Sequence, residues 1–386
     1  MKDSISFEHT MAFIRRLYEA EGDVIPLHRP LFSKQEEHLV LDCIQSTFVS
    51  SIGQYVDQFE QAVARFTGSR HAVATVNGTA ALQVALSLAG VSRGQEVITQ
   101  AISFVATANA IQYVGAEPIF LDCDRDTLGL SADALELFLT ENTRQDESGL
   151  TYNRKTGRQI AACVPMHTFG HPVRIERIQT LCERYRIALV EDAAEALGSY
   201  AGGRHLGRFG RLGILSFNGN KIITTGGGGM ILTDDPELAR CAKHLTTTAK
   251  VSHKWNYFHD HIGYNFRLPN LNAALGCAQL ENIDYFITQK REIAARYESF
   301  FRDGRIPFFI ERPDTRSNYW LNAIFLENRE DRDRFLELSS LRGIMCRPLW
   351  SLLIDLPMYR HCQCDELINA RWLSDRLVNI PSSVPK

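Results

Sequence analysis

The chain has 386 residues, 45% of them hydrophobic and 23% charged, with a formal net charge of -3. That length supports one large buried core and a smaller second one. The near-neutral balance gives no overall positive field to hold nucleic acid or an anionic membrane, so any anion must be bound locally. Asp3, Glu8 and His9 stand at the amino terminus with no apolar stretch behind a basic start. No apolar run reaches the roughly 18 residues a membrane span needs, so a cytoplasmic protein is expected.

In chain order, residues 1–30 read as an N-terminal arm, and Ser33-Lys34-Gln35-Glu36 has the spacing of a capping box opening a helix through about Cys43. A second helix is expected from about Val56 to Phe66. From His71 onward short apolar runs alternate with helical segments: His71–Val76, Glu96–Thr99, Pro118–Asp122, Ile160–Pro165, Ala188–Asp192, Gly213–Phe217 and Met230–Thr233. Such alternation predicts an α/β fold with a large, doubly wound, mostly parallel sheet in a domain spanning residues 31–270. Two stretches interrupt it: the polar segment 141–158, expected as an exposed excursion, and the aperiodic segment 246–267, expected as a long functional loop. Residues 271–386 read as a long bridging helix to about Phe301 and a smaller α+β domain, with strands near Tyr319–Leu326 and Ile344–Arg347.

The nine cysteines are scattered, Cys43, Cys163, Cys182 and Cys277 among them in apolar segments, which suits reduced core thiols. The tightest cluster, His361-Cys362-Gln363-Cys364, has no second matching pair at ligand spacing, and no metal is expected.

Chemistry concentrates at Lys221, which follows Ser216-Phe217-Asn218-Gly219-Asn220 and precedes Thr224-Thr225 and four glycines. Upstream, Ala188-Leu189-Val190-Glu191-Asp192 reads as a buried strand that delivers a carboxylate at its carboxyl end, where α/β sheets place their ligands. Pyridoxal phosphate chemistry requires this pair: a lysine to hold the cofactor covalently, and an aspartate to keep the pyridine nitrogen protonated. Asn77-Gly78-Thr79 opens a helix after a strand and makes a phosphate cradle, with Ser216 as a second phosphate ligand. Taken alone, the same segment is also an ordinary capped strand-to-helix turn. The tetraglycine is followed by a strand, whereas nucleotide loops need a helix there, so the glycines read as tight packing beside the lysine. Phe104 at a strand end is placed to lie against a cofactor ring, or else to fill core. Glu195, one helical turn beyond Asp192, is placed to reach the ring hydroxyl, or else to face solvent.

Asn77–Leu82, Glu191–Ala194, Ser216-Phe217 with Lys221, and Gly263-Tyr264-Asn265-Phe266-Arg267 resemble the motifs of the DegT/DnrJ/StrS-type sugar aminotransferases. Pro26-Leu27-His28, Val49–Gly53, Pro165–Gly170, Ser216–Lys221 and Ser317–Trp320 resemble its LegC-like branch, over about residues 12 to 384. The resemblance implies the type I pyridoxal phosphate aminotransferase fold and homodimers with active sites at the subunit interface. By position it implies Lys221 as the cofactor lysine, Asp192 as the ring-nitrogen partner, and Thr79 and Ser216 at the phosphate, which Gly78 lets approach the helix start closely. Asn265 matches the residue that reaches the partner's phosphate, and His167, Asn318 and Tyr319 fall in motifs expected at the substrate. Glu195 stands where glutamine is commoner in the family, and Ser103 where threonine is. The implied reaction moves an amino group from glutamate to the 4-keto carbon of a nucleotide-linked, UDP in this branch, 4-keto-6-deoxy-N-acetylhexosamine, on routes to legionaminic-acid-like surface glycans. Other keto sugars, sugar dehydration and a non-catalytic binding protein of the same fold are the alternatives. Lys221 argues against dehydration, because the dehydratase offshoot carries histidine there.

Overall fold

A computed structural model describes residues 6–20 and 22–385. Its centre is a seven-stranded sheet of β1 (His71–Thr75), β2 (Glu96–Gln100), β3 (Glu117–Leu121), β4 (Ile160–Val164), β5 (Ala188–Asp192), β6 (Leu212–Ser216) and β7 (Gly229–Thr233). The spatial order is β1-β7-β6-β5-β4-β2-β3. Strands β3, β2, β4, β5 and β6 pair in parallel, while β7 runs antiparallel to both β6 and β1. Parallel strands are covered on both faces, which is why these segments are near-continuous apolar runs: Val97, Ile98, Ala162, Cys163 and Val164 have no exposed surface. All seven expected strands form, each within a residue of the anticipated bounds.

The order steps out from β2 to β3 and then returns to β4 on the other side of β2. Ligands of open α/β sheets bind beyond the carboxyl ends of strands at such a reversal. The helix Gly78–Leu88, apolar all round with Ala81, Val84, Ala85 and Leu86 fully buried, packs over β6 and β7. The capping box at Ser33 forms as expected, Ser33 Oγ accepting from the Gln35 N–H and Glu36 accepting from the Ser33 N–H.

The interruptions turn out more ordered than their polarity suggests. Residues 143–153 form a hairpin of Thr143–Gln145 and Thr151–Asn153. Its tip is held by Asp146 Oδ1, which accepts from the N–H groups of Ser148 and Leu150. Asn153 is fully buried, donating to Glu96 Oε2 and Gln363 Oε1, both at 2.8 Å. The 246–267 segment is also a hairpin, with Thr247 opposite Asn265 and Lys250–Val251 paired to Phe258–His259. Two-residue strands leave no alternation to read, so the sequence looked aperiodic there.

The single helix expected from 271 is two, Asn270–Glu281 and Ile283–Phe301, broken at Asn282. Within the first 30 residues lies a helix the sequence reading did not anticipate, Phe7–Leu17, capped by Ser6 accepting from the His9 N–H. Its Met11, Ile14 and Leu17 join a core cluster with Ile293, Tyr297, Phe301 and Phe335. A small antiparallel sheet completes this end of the chain, with Leu377–Ile380 between Asn322–Phe325 and Arg347–Pro348. The central strand was not anticipated, and the strand expected at Ile344 starts at Arg347, Ile344 pairing instead with Ile25. Among the described residues no helix is long and apolar enough to cross a membrane.

Candidate active site

A cavity of about 300 Å³ lies beyond the carboxyl ends of β2, β4, β5 and β6, lined by Thr79, Phe104, Thr107, Asp192, Ser216 and Lys221 among others. Asn77 caps the helix Gly78–Leu88, its Oδ1 accepting from the Ala80 N–H at 2.8 Å, and the first helical turn faces the cavity. A Cβ on Gly78 would stand 3.0 Å from the Ser216 Cβ, so only glycine brings the helix start this close to Ser216. Gly229 is the counterpart from below: its Cβ would meet the Asn77 carbonyl at 2.5 Å. Gly229, the last of the four glycines, therefore packs its strand against the helix start at Asn77, whereas the sequence reading placed the tight packing beside the lysine.

Lys221 Nζ is 3.0 Å from Glu195 Oε1 and 4.0 Å from the centre of the Trp320 ring, and its side chain is 13% exposed. The ring is itself oriented, Trp320 Nε1 donating to the Asn220 carbonyl at 2.7 Å. Asp192 Oδ2 accepts from the Thr107 hydroxyl at 2.7 Å, and Oδ1 accepts from the Ala194 N–H at 3.2 Å. Thr107 is in turn 2.6 Å from Ser103 Oγ. Burial pushes the Asp192 and Glu195 carboxyls above their usual range, and Lys221's charge, with hydrogen bonds to each, offsets only part of that. One ammonium thus faces two buried carboxylates. A ligand bringing a protonated ring nitrogen to Asp192 would balance the excess negative charge, and this donor set fits pyridoxal phosphate.

Phe104 is 52% exposed at the cavity mouth and meets Trp350 edge-on with ring centres 6.3 Å apart, so it does not fill core. Glu195 is buried and not solvated, and residues 193–199 form turns, not the helix anticipated there. Its second oxygen accepts from the Phe169 N–H at 2.9 Å.

Three expected substrate contacts do not reach the cavity. Successive strand residues point to opposite faces, so Asp192 faces the cavity while Glu191 points away. His167 follows Glu191: it is fully buried, 3.1 Å from Glu191 Oε2. Burial raises the Glu191 carboxyl, but His167 and the N–H groups of Gly210 and Gly207 outweigh it and hold the group below its usual range. Asn318 spends its side chain on bracing, Nδ2 donating to the carbonyls of Glu195 and Leu197 while Oδ1 accepts from the Trp320 N–H. Tyr319 is buried with its hydroxyl accepting from the Glu311 N–H, its ring against His171 and Arg291. Asn265 is exposed on the hairpin and accepts from Arg267, outside the cavity of its own chain.

Sequence reasoning missed Thr107, Trp320 and Trp350. The first two had signals: Thr107 lies one turn beyond Ser103, and Trp320 ends the Ser317–Trp320 motif. It also missed Lys290, which is buried and donates to the carbonyls of Trp320 and Ser382 at 3.1 and 2.7 Å. Burial lowers its ammonium to about 7. A base with a depressed folded pKa costs stability while it must stay charged, and that cost is relieved as pH rises from about 7 toward the unfolded value of about 10.4. We expect the wild-type chain to gain up to about 2 kcal/mol relative to Lys290→Met between pH 7 and pH 9, at about 1.36 kcal/mol per pKa unit. Denaturant unfolding of both proteins at the two pH values checks this, and parallel pH profiles would overturn it.

A strand-end aspartate, a lysine on the next turn and a glycine-opened helix, on a doubly wound sheet, together define a pyridoxal phosphate-dependent transferase of the type I fold. The model of the DegT/DnrJ/EryC1/StrS aminotransferase family matches residues 30–385, and the chain belongs to that family of sugar aminotransferases. It is 36% identical over 358 residues to the GDP-perosamine synthase of Escherichia coli O157:H7, covering 93% of each chain. It is also 36% identical over 337 residues to the pyridoxal phosphate-dependent aminotransferase EpsN of Bacillus subtilis (strain 168), covering 87% of this chain and 84% of that one. Among solved structures, Helicobacter pylori PseC, an aminotransferase of pseudoaminic acid biosynthesis, superposes with a TM-score of 0.84 at 25% identity, over 93% and 94% of the two chains. The aminotransferase TlmJ from Streptoalloteichus hindustanus gives 0.83 at 28% identity, over 92% and 93%.

Proposed function

We propose that the chain transfers an amino group from glutamate to the 4-keto carbon of a nucleotide-linked 4-keto-6-deoxy sugar. The observation that carries this is the Lys221 amine poised between Glu195 and the Trp320 ring, across a cavity from Asp192. Pyridoxal phosphate, when bound, supplies the electron sink for the exchange. Lys221 Nζ takes and returns the proton of the carbon that gains or loses nitrogen. Asp192, fixed by Thr107 and the Ala194 N–H, holds a proton on the ring nitrogen. Gly78, Thr79 and Ser216 bind the phosphate at the helix start. Phe104 at the cavity mouth would lie against the cofactor, and Glu195, which holds Lys221 in place, would also meet the cofactor's hydroxyl.

For the sugar, the LegC-like motifs favour a UDP-linked N-acetylated substrate on a route to legionaminic-acid-like surface glycans. A GDP-linked sugar is the second reading, favoured by curated relatives at 32% to 36% identity named GDP-perosamine synthase. Purified enzyme with glutamate and a panel of UDP-, GDP- and dTDP-4-keto sugars decides the matter. Amino-sugar product from a UDP substrate at ten times the kcat/KM of the others supports the first reading, a GDP preference supports the second, and no product from any sinks the proposal.

The same reading makes the protein a homodimer with Asn265 reaching the partner's phosphate. Its support is the hairpin around Asn265, which exposes Trp255, Tyr257, Phe258 and Ile262, an apolar set larger than isolated surface residues explain. An active monomer in light scattering would exclude it. Unpaired cysteines throughout suit the reducing cytoplasm, and recovery in a membrane or secreted fraction would count against that location.

A further inference from the structure

The end of the sheet opposite the cofactor cavity carries a second cluster of chemically capable side chains. β3 is an edge strand, and the segment from Tyr359 to Asp365 lies along it: the Phe120 N–H donates to the Gln363 carbonyl at 2.9 Å, and the Asp122 N–H donates to Asp365 Oδ2 at 2.9 Å. This brings His361 and Cys362 to Glu117, the first residue of β3. His361 Nε2 is 2.6 Å and Cys362 Sγ 3.1 Å from the same oxygen, Glu117 Oε1, and the sulfur and nitrogen are 3.9 Å apart. The other oxygen, Oε2, accepts from Gln112 Nε2 at 3.3 Å, which turns Oε1 toward the pair.

We propose that Glu117, His361 and Cys362 bind one zinc ion. Three different donor atoms, O, N and S, lie within 4.8 Å of one another, close to the separations of ligands around one tetrahedral ion. The mixture of thiolate, imidazole and carboxylate selects zinc over the hard cations magnesium and calcium. Charge closes: the thiol releases its proton to solvent as the S–Zn bond forms, neutral imidazole donates its Nε2 lone pair, and thiolate and carboxylate together balance the 2+ ion. His361 is 65% exposed, so the ion has a path in and the fourth position is open to water. The ligands sit on a strand end and on a segment tied to that strand by backbone hydrogen bonds, and Gln112 supplies the outer contact that orients a metal-bound carboxylate. Lys155 and Arg158 border the adjoining hollow and oppose a cation, while Glu96 beside them offsets one of the two charges. The ion would fasten the closing segment to the sheet edge, far from the chemistry.

The test uses pyridoxal phosphate-loaded enzyme, cleared of metal with a chelator and titrated with zinc sulfate by calorimetry, and in parallel with cobalt(II). We expect one zinc per chain, a thermal midpoint that rises with zinc, and a thiolate-to-cobalt charge-transfer band that Cys362→Ser removes. Cys362→Ser and His361→Ala should each weaken zinc at least tenfold, and Gln112→Ala about tenfold, with aminotransferase rate unchanged. Cys364→Ser is the matched control and should bind as wild type. No zinc binding, or zinc held equally well by the His361→Ala, Cys362→Ser double variant, would overturn the assignment. In the latter case His244, Asp260 and His261, the other convergent set among the described residues, would be where the ion sits.

Discussion

Lys221→Ala is expected to lose aminotransferase turnover by at least about a thousandfold, roughly 4 kcal/mol of barrier. On the proposed function, the alanine removes both the amine that would anchor the cofactor and the base that would move the proton. It also strips the ammonium from Glu195, a buried carboxylate whose only paired cation among the described residues is this one, so part of the loss could be misread as unfolding. Lys221→Arg separates the two effects: guanidinium keeps the charge opposite Glu195, but it does not deprotonate and cannot serve as the amine. Stopped-assay rates and thermal midpoints of both variants check this. An inactive, stably folded Lys221→Arg is the expected result, and wild-type-like turnover in either variant would end the functional reading. The same variant probes the shared site: in a heterodimer of Lys221→Ala with Asn265→Asp, one site carries both defects and the other neither. Up to half the activity should return, and a heterodimer as dead as its parents would remove Asn265 from the partner's phosphate.

Asp192→Asn is expected to slow the reaction at least about a hundredfold, roughly 2.7 kcal/mol, while cofactor still binds. The amide preserves shape, its oxygen still accepting from the Ala194 N–H while its NH2 donates to the Thr107 hydroxyl oxygen, but it carries no charge to keep the ring nitrogen protonated. Stability should move the other way. Burial holds the folded Asp192 carboxyl above its usual range, so at neutral pH the ionised form costs stability relative to the unfolded chain, and asparagine removes that cost. A variant slower in single-turnover assays with an equal or higher thermal midpoint in the cofactor-free protein matches this account. A rate within about threefold of wild type would place Asp192 outside the chemistry.

Much of this was legible because it is local. The strands of a parallel sheet are buried on both faces, so each announces itself as an apolar run, and β5 was readable to the residue from Ala188 to Asp192. The same run carries Asp192, the carboxylate that faces the cavity, at its end, and Lys221, Ser216 and the glycine-opened helix follow from turn chemistry at fixed offsets. The sequence also determined the family, because its motifs recur in order along nearly the whole chain. What lay beyond it was decided by which face a side chain takes and by what crosses from distant segments. His167 and Asn318 look like site residues in one dimension, yet strand alternation turns one toward Glu191 and carbonyls 121 and 123 residues away in sequence consume the other. Trp320 reaches Lys221, and Lys290 reaches Trp320, only because the C-terminal part folds back to the cavity at the carboxyl ends of the strands. The His361–Cys362 pair shows the same limit from the other side: local spacing supplied two ligands and no third, and tertiary structure brought Glu117 from 244 residues upstream to within 2.6 Å of the histidine. Long-range pairing of this kind is set by packing and hydrogen bonding among elements, whose free energy no local pattern records.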